Sequence, residues 1–234
     1  ISATKKSNWP VYRVGLLWKQ DEEDIYQCGG LLIDYQYVLT SADCVTSSRG
    51  PPKFVASSPT SDRVPVADVL AHPRFVQGKP YFDIALVKLQ KYANPKESQP
   101  VCPWSDQLHG DRGTLQFGAS ILESTGLGRF KITTRLYVHS TLSGDRCIVG
   151  EAVAENDLIC ISRKVDLIPG VCQVDYGGPA LVEIVKNEYK VRGVLSRATQ
   201  GCGSNVIYTS IAPHKQWLES IIFKKLHERL IFSD

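Results

Sequence analysis

An all-β fold, either barrel or sandwich, is what this sequence predicts. Short β-rich runs recur along the chain, clusters of turn residues separate them, and the one convincing helical pattern is terminal.

The runs come in order at 12–17, 31–39, 64–70, 84–89, 114–122, 135–138, 189–195 and 206–211, rich in Val, Ile, Leu and Tyr. Gly, Pro, Asn, Asp and Ser gather between them, at 48–52, 78–80, 94–95, 109–113 and 199–205, where the backbone must reverse. No internal repeat is present. From about Pro213 onward, Trp217, Ile221, Ile222, Leu226 and Leu230 fall at near-helical spacing, with Lys215, Glu219, Lys224, Lys225 and Glu228 on the polar side.

A chain of 234 residues, 43% apolar and 22% charged, can bury one large core or two small ones. No run approaches the ~20 apolar residues of a membrane-spanning helix, and the basic-then-apolar pattern of a signal peptide is missing at the start. The expectation is a soluble, already processed chain without a membrane span. Its net charge of +3 is spread out, densest at Lys5 with Lys6 and Lys224 with Lys225. That implies no nucleic-acid partner and favours an ordinary solvated face over a site for anionic sugar or lipid.

Seven cysteines, Cys28, Cys44, Cys102, Cys147, Cys160, Cys172 and Cys202, form no C-x-x-C pair of the zinc-binding kind, so neither metal nor other cofactor is expected. Their wide spacing suits crosslinks in an oxidising compartment, with one thiol left over, and predicts a secreted, extracellular protein. The sequence has no Asn-x-Ser/Thr glycosylation site to support secretion independently.

Three segments carry a more specific signal: Cys28-Gly-Gly-Leu-Leu-Ile with Tyr37-Val-Leu-Thr-Ser-Ala-Asp43-Cys44, then Phe82-Asp83-Ile-Ala-Leu-Val-Lys-Leu89, then Cys172-Gln-Val-Asp175-Tyr176-Gly-Gly-Pro179. Weaker echoes include Asn156-Asp-Leu-Ile-Cys160, Gly193-Val-Leu-Ser196, Gly201-Cys-Gly203 and Trp217. In that order and at those separations they resemble the chymotrypsin/trypsin (S1) family of serine proteases over essentially the whole chain. The resemblance implies two six-stranded antiparallel β-barrels with a cleft between them and a C-terminal α-helix. It implies one domain over 1–234, with subdomains at about 15–110 and 111–212 and the helix at 213–230. The implied disulfides are Cys28–Cys44, Cys147–Cys160 and Cys172–Cys202. Cys102 is left for a tether to an N-terminal chain or domain, with a buried free thiol as the alternative.

The family's chemistry needs a serine, a histidine, an aspartate and two backbone amides for the oxyanion. Of the matching residues only the aspartate, Asp83, is retained. Tyr176 stands at the nucleophile position, and a phenol titrates near ~10 and needs a base. Asp43 stands at the base position, and carboxylates, titrating near ~4, accept hydroxyl protons poorly at neutral pH. Loss of such groups costs roughly a million-fold in turnover. Val174 replaces the oxyanion-hole glycine, Gly170 the floor of the specificity pocket, Val206 a pocket-wall glycine and Arg197 a cleft tryptophan. The pocket is therefore expected to be narrowed or filled by Val206 and Tyr176. A catalytic Asp43/Asp83 dyad is the rival reading, disfavoured because no shaped substrate site accompanies it. Asp43 is expected to face solvent or to meet a cation such as Arg197, and His72 to be an ordinary exposed histidine.

One part of the family's activation device is retained in the resemblance: Ile1 stands about where a cleavage-generated N-terminus would, with Asp175 as its ion-pair partner. Ser2-Ala3-Thr4 departs from the family pattern there, and an arbitrary start is the alternative. The reading that follows is a catalytically inactive homologue, similar to clip-domain serine protease homologues of arthropod defence cascades. Its partners would be a protease, zymogen or inhibitor. The alternative is a receptor-binding ligand similar to the hepatocyte growth factor β-chain, favoured by Asp-Tyr-Gly-Gly-Pro, and the third a residual serine endopeptidase.

Overall fold

The structure, a computed structural model, describes residues 12–21, 23–58, 61–101, 115–124, 130–139, 158–161, 176–185, 188–198 and 206–223. Six strands, β1 (Arg13–Gln20), β2 (Glu23–Asp34), β3 (Tyr37–Thr40), β4 (Phe54–Ala56), β5 (Val64–Ala71) and β6 (Ala85–Leu89), close into an antiparallel barrel in the order β1-β2-β3-β6-β5-β4. A one-turn helix α1 (Ala42–Thr46) leaves the end of β3. The second six, β7 (Leu115–Ser124), β8 (Phe130–His139), β9 (Leu158–Ile161), β10 (Pro179–Val185), β11 (Glu188–Ala198) and β12 (Val206–Ser210), form an antiparallel sheet in the order β8-β7-β10-β11-β12-β9.

The run expected over 31–39 is two strands rather than one. Asp34 accepts a hydrogen bond from the Gln36 backbone N–H at 2.8 Å, an Asx-type turn that reverses the chain. Register then pairs Leu31 with Leu39 and Leu32 with Val38. The first part of β2, residues 23–30, which begins polar and ends on two glycines, escaped the periodicity, as did three further strands at 54–56, 158–161 and 179–185. The first of these is held by its long hairpin with β1.

A period of two distributes apolar side chains between two cores. On β3, Val38 points into the barrel with Val14, Leu16, Leu32, Val55, Ala85 and Val87. Tyr37 and Leu39 point the other way, with Leu31, Ile84 and Leu86, against Val191 and Val194 of β11 and Leu218. Both faces of β3 and β6 are therefore buried, which is why Tyr-Val-Leu and Ile-Ala-Leu-Val read as unbroken apolar runs instead of alternating ones.

The terminal helix begins close to where the periodicity places it. Pro213 lies in a 3-10 turn (Ala212–His214), and helix α2 (Lys215–Ile222) follows. The rest of the expected span, 224–230, lies outside the described residues. Leu218 is fully buried, and Trp217, Ile221 and Ile222 pack against the second core. No helix of the described residues is long and apolar enough to cross a membrane.

The seam between the two sheets should dominate stability. Leu86→Ala, emptying a side chain with 0% exposure, is expected to cost about 2–5 kcal/mol in urea unfolding. Tyr92→Ala, at a residue 64% exposed, should stay within about 0.5 kcal/mol.

Candidate functional site

The site is assembled where the end of β3, the turn before β6 and strand β11 meet. Phe82 has φ +57, an uncommon left-handed conformation for an aromatic residue, and the Ile84 N–H returns to the Phe82 carbonyl at 2.8 Å. This tight turn directs Asp83 inward, where its exposure is 0%. Its Oδ1 accepts the Asp43 backbone N–H at 2.8 Å and its Oδ2 accepts the Ser196 hydroxyl at 2.5 Å. The Asp83 carbonyl accepts the Thr209 hydroxyl at 3.0 Å. Donors from α1, β11 and β12 thus converge on one residue.

Asp43 occupies the first turn of α1, after the Ser41 cap. A carboxylate there is favoured by the helix N-terminus. Its side chain is half-buried, and what reaches Asp83 is its backbone amide. Cys44, its neighbour, is joined to Cys28 by a disulfide.

Tyr176 lies on the opposite side, with its carbonyl accepting the Gly29 N–H at 2.7 Å. The residue is 39% exposed. Gly177 donates to the Leu195 carbonyl at 2.8 Å, and Leu195 donates back to the Gly178 carbonyl at 2.8 Å. Gly177 has φ +75, and a Cβ there would sit 2.4 Å from the Gly29 carbonyl and 3.4 Å from the Ser41 amide. Thr40, whose hydroxyl bonds the Gly29 carbonyl at 2.8 Å, closes the same junction. Only glycine fits this crossing of the two sheets.

Asp43 and Asp83 are thus joined directly, and Tyr176 is linked to them along the chain through Gly177, Leu195 and Ser196. Arg197 follows Ser196 on β11 and Val206 opens β12, but their side chains lie outside the described residues, as does that of Cys160. Ile1, Cys102, Cys147, Gly170, Cys172, Val174, Asp175 and Cys202 also lie outside them. Among the described residues no group of three or more His, Cys, Asp or Glu could hold a metal ion.

His72 is not the exposed residue expected. It is 8% exposed, stacked on Phe82 with ring centroids 5.1 Å apart and set edge-on to His214 at 5.0 Å and Trp217 at 4.8 Å. The turn in which Arg74 N–H donates to His72 Nδ1 at 3.2 Å sets the ring, and His214 with Trp217, far along the chain, cover it. Arg74 covers the other ring of the stack, 4.0 Å from the Phe82 centroid. This aromatic cluster braces the Phe82 turn, and through it Asp83, from behind. Sequence reading missed it, together with Thr209 and the role of Ser196. The spacing of His72 from residues 214–217 gave no clue to their meeting.

His214, 3% exposed with an unpartnered Nε2, has its pKa lowered to about 4 by burial and then by His72 and Arg74.

The chain matches the family model described as Trypsin over residues 2–218. It is 27% identical over 224 residues to Serine protease Hayan of Drosophila melanogaster, covering 85% of this chain and 35% of that protein. With Serine protease snk of the same organism it shares 27% identity, covering 88% and 51%. It is also 26% identical to Chymotrypsin-like elastase family member 1 of Bos taurus, covering 94% and 88%. Among solved structures, neuropsin, a serine protease expressed in the limbic system of mouse brain, superposes with a TM-score of 0.68 at 21% identity, covering 92% of this chain and 95% of that one. The chain thus spans roughly a third to a half of the two Drosophila relatives.

Two outcomes follow for the site. Gly177→Ala should lower the urea midpoint by an amount equivalent to about 2 kcal/mol or more, because φ there is +75 and the clashing atoms are the Gly29 carbonyl and the buried Thr40 hydroxyl bonded to it. Stability should also fall as pH drops from about 6.5 towards 4, the window in which an unfolded His214 binds a proton that the folded one refuses. The slope contributed is at most about 1.4 kcal/mol per pH unit, and His214→Gln should flatten it in urea titrations at successive pH values.

Proposed function

Since the chain belongs to the trypsin family, we propose that it is a catalytically inactive member, one protease-like domain whose cleft region serves for binding. The observation that carries this reading is the ligation of Asp83. In a working triad this carboxylate orients an imidazole; here the residue whose backbone amide reaches it, Asp43, carries a carboxylate in place of that ring, and Ser196 donates to the other oxygen. His72 and His214 are committed to the cluster with Phe82 and Trp217. Neither Asp43 nor Asp83 is a base suited to deprotonating the Tyr176 phenol.

The protein is read as secreted, a regulator within an extracellular proteolytic cascade of the innate-immune kind. The Cys28–Cys44 disulfide supports an oxidising compartment. Its partner would be a protease, zymogen or inhibitor. The Drosophila relatives are longer than this chain, and the reading includes an additional N-terminal chain tethered through Cys102. The same reading includes zymogen cleavage before Ile1 and an Ile1–Asp175 ion pair.

The purified chain should take up no fluorophosphonate and hydrolyse no peptide ester above background. Tyr176→Ser should remain equally unlabelled, because a serine without its base loses nearly the whole effect of the triad. Stoichiometric labelling of the folded native chain, abolished by denaturation, would defeat the reading.

A further inference from the structure

We propose that the ring cluster of His72, Phe82, His214 and Trp217 is an acid-sensitive latch, in which a proton on His214 releases helix α2 and with it the turn that carries Asp83, while the barrel stays folded. The latch joins two distant segments. His72 follows the end of β5, where Ala71 pairs with Ala85, and its own N–H donates to the Ile84 carbonyl at 3.0 Å. Its ring stacks on Phe82 and stands edge-on to His214 and Trp217, while Phe82 meets His214 at 5.7 Å. Two buried imidazoles therefore lie 5.0 Å apart, and the Arg74 guanidinium lies over Phe82 in the same cluster.

Neutral, the two imidazoles pack as flat rings among aromatic neighbours. A proton on His214 creates a second cation close to Arg74 where water is excluded, and one on His72 as well adds direct repulsion. Among the described residues, the other charged groups on the elements packed here are Lys79 in the loop after β5, Asp83 before β6, Arg192 on β11, and Lys215 and Glu219 on α2. Asp83 is engaged by Asp43 and Ser196. Glu219 lies five residues beyond His214, past the spacing at which helical side chains meet. The neighbours that act on His214, His72 and Arg74, both oppose its protonation, so that docked it takes up a proton only near pH 4, against 6.5 in water. Between these values acid favours the released helix.

Release stays local because the barrel's own core, around Leu16, Val38 and Val87, has no member from α2. The helix has eight residues, of which Leu218 is fully buried and Trp217, Ile221 and Ile222 only partly. Such an element opens at lower free energy than a closed strand ladder. Phe82, in its left-handed conformation, then loses the rings that brace it, and the bonds from Asp43 and Ser196 to Asp83 loosen. The latch is independent of whether the region around Asp83 cuts or binds.

Amide hydrogen exchange of the full chain, followed by NMR at pH 7, 6 and 5 and normalised to intrinsic exchange rates, reads the latch. The Phe223 N–H, bonded to the Glu219 carbonyl at the end of α2, and the Ile84 N–H, bonded to the Phe82 carbonyl, should lose protection together. The loss should be about threefold from pH 7 to 6 and about eightfold from pH 6 to 5, with no matching change in the β1–β2 hairpin. His214→Phe keeps a ring and removes the titration, so both amides should be equally protected at pH 7 and 5. His214→Gln should lower their protection at every pH and likewise remove its pH dependence. A pH-dependent loss that survives in both variants overturns the proposal. So does native protection that is unchanged from pH 7 to 5, loss at Phe223 without loss at Ile84, or loss shared equally by the β1–β2 amides, which is global unfolding.

Discussion

Asp83 sits where both halves of the molecule need it. Its carboxylate takes one hydrogen bond from the barrel side, at Asp43, and one from the second sheet, at Ser196, while its carbonyl is held by Thr209. Hydrogen bonds to a charged acceptor are worth about 1.5–3 kcal/mol each, and a buried carboxylate deprived of them costs more than that. The seam between the sheets therefore cannot open without exposing this group to an unpaired state. The left-handed turn at Phe82 and the rings of His72, His214 and Trp217 are the means by which the chain pays to hold Asp83 there.

That arrangement does not depend on the chemistry of the side chains at positions 43 and 176. The groups that hold Asp83 include one backbone amide, from α1, and two small hydroxyls, from β11 and β12. None of them depends on an imidazole at position 43 or a hydroxymethyl at position 176. Gly177 shows the same separation of tasks: its conformation is dictated by the crossing against Gly29 and Thr40, whatever its neighbour does chemically. A surface so braced can keep its shape whatever side chains stand at positions 43 and 176.

The architecture was legible where local chemistry is repetitive. The runs at 64–70, 84–89 and 206–211 and the amphipathic stretch around Trp217 announced themselves through period and turn residues. The motifs around Cys28, Asp83 and Tyr176 pointed to the family and to the residues at its centre. Less legible were elements whose stability comes from a distant neighbour: the polar, glycine-ending first half of β2, the three residues of β4, and the turn at Asp34 hidden inside an apolar run. His72 was misread for the same reason, since its burial is created by a helix more than a hundred residues away.

What the sequence determined alone was the β-rich rhythm, the position of the terminal helix start and the identity of the groups at 43, 83 and 176, because these follow from side-chain type and from spacing along one segment. Tertiary structure decided which of those groups meet, and in what state. Only the closing of the barrel against β11 brings Ser196 to Asp83, turns the amide of Asp43 rather than its carboxylate toward it, and leaves Tyr176 open to solvent. The physical reason is that hydrogen-bond partners and burial are properties of segments packed together, and no single stretch of chain encodes its neighbour.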